Sequence, residues 1–144
     1  MMTMVIGNKW NNMKRIKSEA ETRLVVECFV NDSPAYFLLD SGASVGFLDK
    51  DKKKEYKLKE GRIFAGTIVG AGGTMRNVRH CDTFVYFEEK PITQFLLADI
   101  SNVVESIKRE TGIEILGIIS LPQMAQIGMN LDINSLEVWL EQLV

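Results

Sequence analysis

The chain is cut into short apolar runs, and this segmentation limits what it can fold into more than any other feature. Residues 24–30 and 35–39 are β-branched, aromatic and leucine-rich, and the turn formers Asn31-Asp32-Ser33-Pro34 lie between them, which predicts a hairpin. Residues 62–69 and 74–87 read as two long strands joined by Gly70-Ala71-Gly72-Gly73, a linker so rich in glycine that it reads as a flexible hairpin tip. Residues 93–98 predict a further strand and 114–119 a buried one interrupted by Gly117, while 129–133 and 136–140 form a final pair around Asn134-Ser135. Short strands spaced by turn signals define a mostly β class, with a closed or half-closed barrel as its shape.

Two or three short helices complete the pattern. The charged stretch 49–57 follows Val45, Phe47 and Leu48 and reads as one of them. Ile100, Val103, Val104 and Ile107 recur at helical spacing, with Ser101 or Asn102 as N-cap and Gly112 as stop. Ser120 caps a third helix that Gly128 closes. Residues 1–23 read as an N-terminal arm, because 8–23 are polar and charged, and residues 24–144 as a single domain with no repeat, low-complexity tract or internal linker. The length of 144 residues suits one core and is short for two.

The formal net charge of −2 and a pI near 5.5 leave no concentrated positive field, so neither nucleic acid nor an anionic membrane is an expected partner. The run Lys50, Lys52, Lys53, Lys54 is broken by Asp51 and followed by Glu55, the pattern of a solvated helix face. Cys28 and Cys81 each lie in a strand-like stretch and read as small buried thiols in a reducing compartment. The N-terminus has too short an apolar run for a signal peptide, and no stretch reaches the ~18 apolar residues of a membrane span. A cytoplasmic location is the expectation.

Asp40 follows four apolar residues and precedes Ser41-Gly42, so it should place a carboxylate at the end of a buried strand, on a tight turn where glycine permits an unusual backbone angle. On those three residues alone an ordinary Asx-turn outweighs catalysis. The order of features changes the balance: apolar strand, Asp40-Ser41-Gly42-Ala43-Ser44, a glycine-tipped hairpin, then Ile115-Leu116-Gly117 leading into a helix. In this order the chain resembles the retropepsin-like aspartic proteases, and is closer to their cellular and bacterial branch than to the viral one. Residues 38–44 match the catalytic loop, Gly70 to Gly73 the flap tip, and Ile115-Leu116-Gly117 the apolar-apolar-glycine signature; the resemblance spans about residues 24–140.

The resemblance implies an aspartic endopeptidase with a closed acid-protease β-barrel, no cofactor and no metal. Asp40, Ser41 and Gly42 would be its catalytic residues; Ala43, Ser44, Gly70, Ala71, Gly72 and Gly73 would bind substrate. Such chemistry needs two facing carboxylates, one protonated to polarise the peptide carbonyl and one ionised to take a proton from water. Adjacent carboxylates share one proton and titrate as a pair. None of Asp32, Asp49, Asp51, Asp82, Asp99 and Asp132 is followed by Ser-Gly or Thr-Gly, so the second carboxylate is expected from Asp40 of another copy, in a C2 homodimer. In the family the chain ends often form an intersubunit sheet, which makes 136–144 the expected interface strand. The Ser41 hydroxyl would bond the partner loop's backbone, and a peptide or protein substrate would lie extended beneath the flap. Ala43 leaves no hydroxyl beside the carboxylate, as in retroviral enzymes. Ser44 stands where those enzymes usually carry an aspartate, and Ile118-Ile119 follows Gly117 in place of their Arg-Asn or Arg-Asp.

Other readings fit less well. Residues 68–73 resemble the start of a dinucleotide-binding loop, but Met75 stands where its third glycine should be and residues 83–87 continue as strand. His80-Cys81-Asp82 alternates faces on a strand and has no second histidine. A serine hydrolase built on Ser41 or Ser44 lacks a Gly-x-Ser-x-Gly elbow. The rival from another class is a catalytically silent retropepsin-like module that binds peptides or assembles a complex, against which Asp40, Ser41 and Gly42 are all present.

Overall fold

The computed structural model describes residues 12–70 and 73–142. Strand β1 (Met13–Lys17) lies within the stretch expected to be a loose lead-in. Met13 and Ile16 are half-buried there, and Ile16 packs on the main core. Strands β2 (Val25–Val30) and β3 (Ser33–Asp40) form the expected hairpin. Its tip is the pair Asn31 and Asp32, with φ of 48° and 65°. Two left-handed residues match the twist of the flanking strands, and Asn and Asp tolerate that region better than other side chains.

Strand β4 (Gly46–Asp49) leads through a 3-10 turn (Lys50–Lys52) into α1 (Lys53–Tyr56). The two long strands expected over 62–69 and 74–87 are instead five short ones: β5 (Glu60–Ile63), β6 (Ile68–Gly70), β7 (Gly73–Met75), β8 (Arg79–Cys81) and β9 (Val85–Phe87). The breaks are local. A side chain on Gly66 would meet the Phe64 ring at 2.6 Å, and Asn77 takes φ 56°, while Phe64 N–H still reaches the Val78 carbonyl at 2.9 Å.

Strands β10 (Lys90–Ile92) and β11 (Phe95–Ala98) precede α2 (Ser101–Thr111). Gly112 ends that helix at φ 80°, as expected, but neither Ser101 nor Asn102 is the N-cap; Ile100 holds that position, and the Asp99 carboxylate accepts from Ser101 N–H at 3.0 Å. Strand β12 (Ile115–Ser120), α3 (Leu121–Gln126), β13 (Met129–Asp132) and β14 (Glu137–Glu141) complete the chain.

The protein is mostly β. Nine strands hydrogen-bond in the order β10-β9-β2-β3-β12-β4-β11-β8-β5. Cys81 of β8 and Ile92 of β10 lie seven places apart in that order yet share one buried cluster with Phe37, Phe95 and Leu140. A flat sheet would hold them about 34 Å apart, so the sheet curls around its core in the manner of a barrel. A second sheet has the order β1-β14-β13, and the β6–β7 hairpin stands apart from both. Within the expected interface segment 136–144, β14 is central: β1 and β13 occupy its two edges, leaving it no free ladder among the described residues, and residues 143 and 144 lie outside them.

Candidate active site

Strand β12 runs parallel to β3 on one side and antiparallel to β4 on the other. Residues 41–45 must therefore cross the end of β12, where Ser120 pairs with Asp40. Gly117 makes this three-strand junction possible. A Cβ there would overlap the Phe47 carbonyl oxygen and stand 2.8 Å from the Phe37 ring.

Asp40 ends a strand whose preceding residues from Phe37 to Leu39 are buried, and is itself half-buried. Its carboxylate accepts from Gly42 N–H at 2.9 Å and its carbonyl from Ala43 N–H at 3.1 Å, an Asx-turn inside a tight turn. Among the described residues no other hydrogen bond reaches this carboxylate. Gly42 does not adopt the left-handed region, contrary to expectation; its requirement is spatial, because a Cβ would stand 3.3 Å from the Asp40 Oδ1. Ser41, Gly42 and Ser44 are exposed and Ala43 is half-buried. Gly70 and Gly73 face each other as the last pair of the β6–β7 hairpin. Ala71 and Gly72, which join them, lie outside the described residues.

The turn is held from behind by residues that sequence reasoning did not single out. The Ala43 carbonyl accepts from Leu121 N–H at 3.1 Å. Gln123, 3% exposed, accepts on Oε1 from Ser120 N–H at 2.9 Å and from the Ser120 hydroxyl at 3.1 Å, and its Nε2 donates to the Thr93 carbonyl at 2.8 Å. A side chain on Gly46 would collide with that amide. One buried glutamine thus ties together the exit of the turn, the end of β12 and the approach to β11. The Ser120-x-x-Gln123 spacing is a capping box, so the signal was present in sequence; what it lacked was any sign that the amide also reaches Thr93.

Arg23 lies near enough to Asp40 to feel its charge. Glu110 holds the Arg23 guanidinium above its ordinary range, through a 2.7 Å hydrogen bond and then by charge, and Asp40 adds a smaller push in the same direction. Glu110 is in turn held below the usual carboxylate range by Arg23 and Thr22. A groove of about 900 Å³ opens beside the turn, walled by Ser44, Val45, Phe64, His80 and Pro122 among others; Asp40 is not part of its wall. His80 packs edge-on against Phe64 at 5.7 Å. Among the described residues no three His, Cys, Asp or Glu side chains converge as a metal site, and no helix is long and apolar enough to cross a membrane.

A strand-borne carboxylate on an Asx-turn that crosses the end of a glycine-containing strand and a separate glycine-ended hairpin are thus carried by one curled, mostly β chain. The chain has the retropepsin-like fold. It is similar to the EIAV protease complexed with the inhibitor HBY-793, at TM-score 0.58 and 24% identity over 81% of this chain and 99% of that one. It is also similar to a retropepsin-like aspartic protease from Rickettsia conorii, at TM-score 0.55 and 16% identity over 90% of each chain. No protein-family model matches the sequence, and no curated protein matches it.

Proposed function

We propose that the chain is one half of an aspartic endopeptidase, and that the working site pairs Asp40 of two copies across a two-fold axis. The observation that carries this reading is the Asp40 carboxylate itself: it is braced by Gly42 N–H on a tight turn, its strand partner Ser120 is held by Gln123, and no other hydrogen bond reaches it among the described residues. A structural Asx-turn needs no such bracing. In the retropepsin-like family that the sequence resembles, the loop matched by residues 38–44 carries the catalytic aspartate.

In the proposed reaction one Asp40 is ionised and takes a proton from the attacking water, whose oxygen bonds to the peptide carbonyl carbon. The other Asp40 is protonated and gives its proton to the carbonyl oxygen, so no full negative charge accumulates on the resulting gem-diol. Breakdown returns a proton from the diol to a carboxylate while the departing nitrogen gains one, and the C–N bond breaks. Ser41 and Gly42 hold the turn, with the Ser41 hydroxyl offered to the partner's backbone. Ala43 and Ser44 contact the peptide, and the hairpin around Gly70, Ala71, Gly72 and Gly73 closes over it, excluding water. The groove lined by Ser44, Val45 and Phe64 would accept a peptide side chain. Because β14 has no free edge, the dimer would use the turn face and the outer edge of β13 or β1.

The test is cleavage of an unfolded protein substrate by the purified chain, its block by a hydroxyl-bearing peptide isostere, and its response to Asp40→Asn. A general acid–base residue of this kind contributes about 10²–10⁴-fold, so Asp40→Asn should lose at least that much rate while keeping the circular dichroism of the parent. Full cleavage by Asp40→Asn would reject the mechanism. Isostere binding without any cleavage would favour the silent peptide-binding module.

A further inference from the structure

The outer face of the β10-β9-β2-β3 end of the sheet leaves a row of rings uncovered. Register aligns Pro91 with Tyr86, Tyr86 with Phe29, and Phe29 with Pro34. Phe29 is 48% and Tyr86 44% exposed, both prolines are exposed, and Phe84 extends the surface with its ring 6.4 Å from that of Tyr86. At one strand spacing per step the row is about 15 Å long. Four ring side chains in line on the solvent side of a sheet are unusual, since lone exposed hydrophobics are the norm.

Beside the row runs a groove of about 560 Å³, walled by Phe29, Tyr86, Phe87 and Ile16; its other walls among the described residues are all carboxylates, Glu19, Glu27, Asp32, Glu88 and Glu89, with no lysine or arginine among them. Glu88 holds Lys14 Nζ at 2.7 Å, so one cationic side chain of the chain already reaches the groove's edge. The other four carboxylates have no ion-pair partner among the described residues. On their other side Phe29, Tyr86 and Phe84 line a second hollow together with Lys57, Lys59, Asp32 and Asp82, so the carboxylate wall is confined to the groove on one side of the row.

We propose that this face is a docking surface for a basic polypeptide segment in which arginine or lysine is interspersed with proline or leucine. Charge selects the occupant of the groove: its carboxylates repel nucleic acid and anionic lipid, and a second copy meeting it by a two-fold axis centred on the groove would bring two sets of carboxylates together. Arginine suits it best, because a guanidinium lies flat on an aromatic ring while bonding a carboxylate at its edge. The same combination occurs within the fold, where the Arg15 guanidinium stands 5.5 Å over the Trp139 ring and its Nε is 2.9 Å from Glu137. Pro34 is six residues from Asp40 along β3, about 20 Å, so the surface is separate from the proposed catalytic turn and does not depend on it.

The test uses the full-length Asp40→Asn chain, to prevent cleavage, and a fluorescein-labelled peptide of Arg-Pro-Leu repeats, with Glu-Pro-Leu repeats as control, followed by fluorescence polarisation. The expected result is saturable binding of the arginine peptide alone, weakened by added salt. Phe29→Ser and the double change Glu27→Lys with Glu89→Lys should each weaken it about tenfold or more while leaving the thermal unfolding curve in place. Equal binding of both peptides, no saturable binding, or unaltered binding in both variants overturns the proposal. So does self-association in sedimentation that both variants abolish, which would make a second copy the occupant.

Discussion

At the scale of single residues, buried polar groups and close-packed glycines decide how much this fold tolerates. Asp49 is 3% exposed, and burial holds its carboxyl above the ordinary aspartate value, against the pull of the hydrogen bond from Asp51 N–H. A raised folded value means that ionising Asp49 opposes folding. The penalty is absent below the unfolded value, grows as pH rises between the two values, and is complete above the folded one. Asn caps a helix as well as Asp, so Asp49→Asn should raise the melting temperature at neutral pH and leave it unchanged in acid; a variant less stable at both would refute this. Gly117→Ala tests the strand junction. Its Cβ would meet backbone at Phe47, which cannot retreat as a flexible side chain can, and the expected cost is about 1–3 kcal/mol by urea denaturation.

At the scale of elements, β1 turns an apparent arm into part of the fold. It pairs with β14 over five residues, adds the Arg15–Glu137 ion pair and brings Ile16 onto the core. Removal of residues 1–17 should therefore lower unfolding stability by about 2 kcal/mol or more and expose the edge of β14 to self-pairing. Light scattering together with urea midpoints would check this, and an unchanged midpoint would return the segment to the status of an arm. The β2–β3 hairpin, the helix ended by Gly112 and the Ser120 cap were all legible, because turn and cap chemistry is local. The division of 60–87 into five strands was not, because the φ of 56° at Asn77 has no glycine to announce it and lies beside a backbone bond from Phe64 to Val78 that joins segments distant in the chain.

At the scale of the whole molecule, the proposed site is divided between two copies, so activity should depend on association. Specific activity should fall on dilution below the dimer dissociation constant. Mixing wild type with an equal amount of Asp40→Asn, followed by exchange, should cut activity to about half that of the same wild-type chain alone, because half-mutant dimers carry a single carboxylate. Full activity in either experiment would place both catalytic groups in one chain.

The sequence by itself determined the mostly β class, the carboxylate turn at Asp40 and the glycine-ended hairpin, since each follows from residue periodicity or from the few side chains a turn accepts. Only the tertiary structure decided that β14 lies between β1 and β13, that Gln123 ties the end of β12 to Thr93, and that Phe29, Tyr86 and two prolines align beside a wall of carboxylates. Those are matters of register between segments far apart in the chain, and register is set by packing that no local pattern encodes.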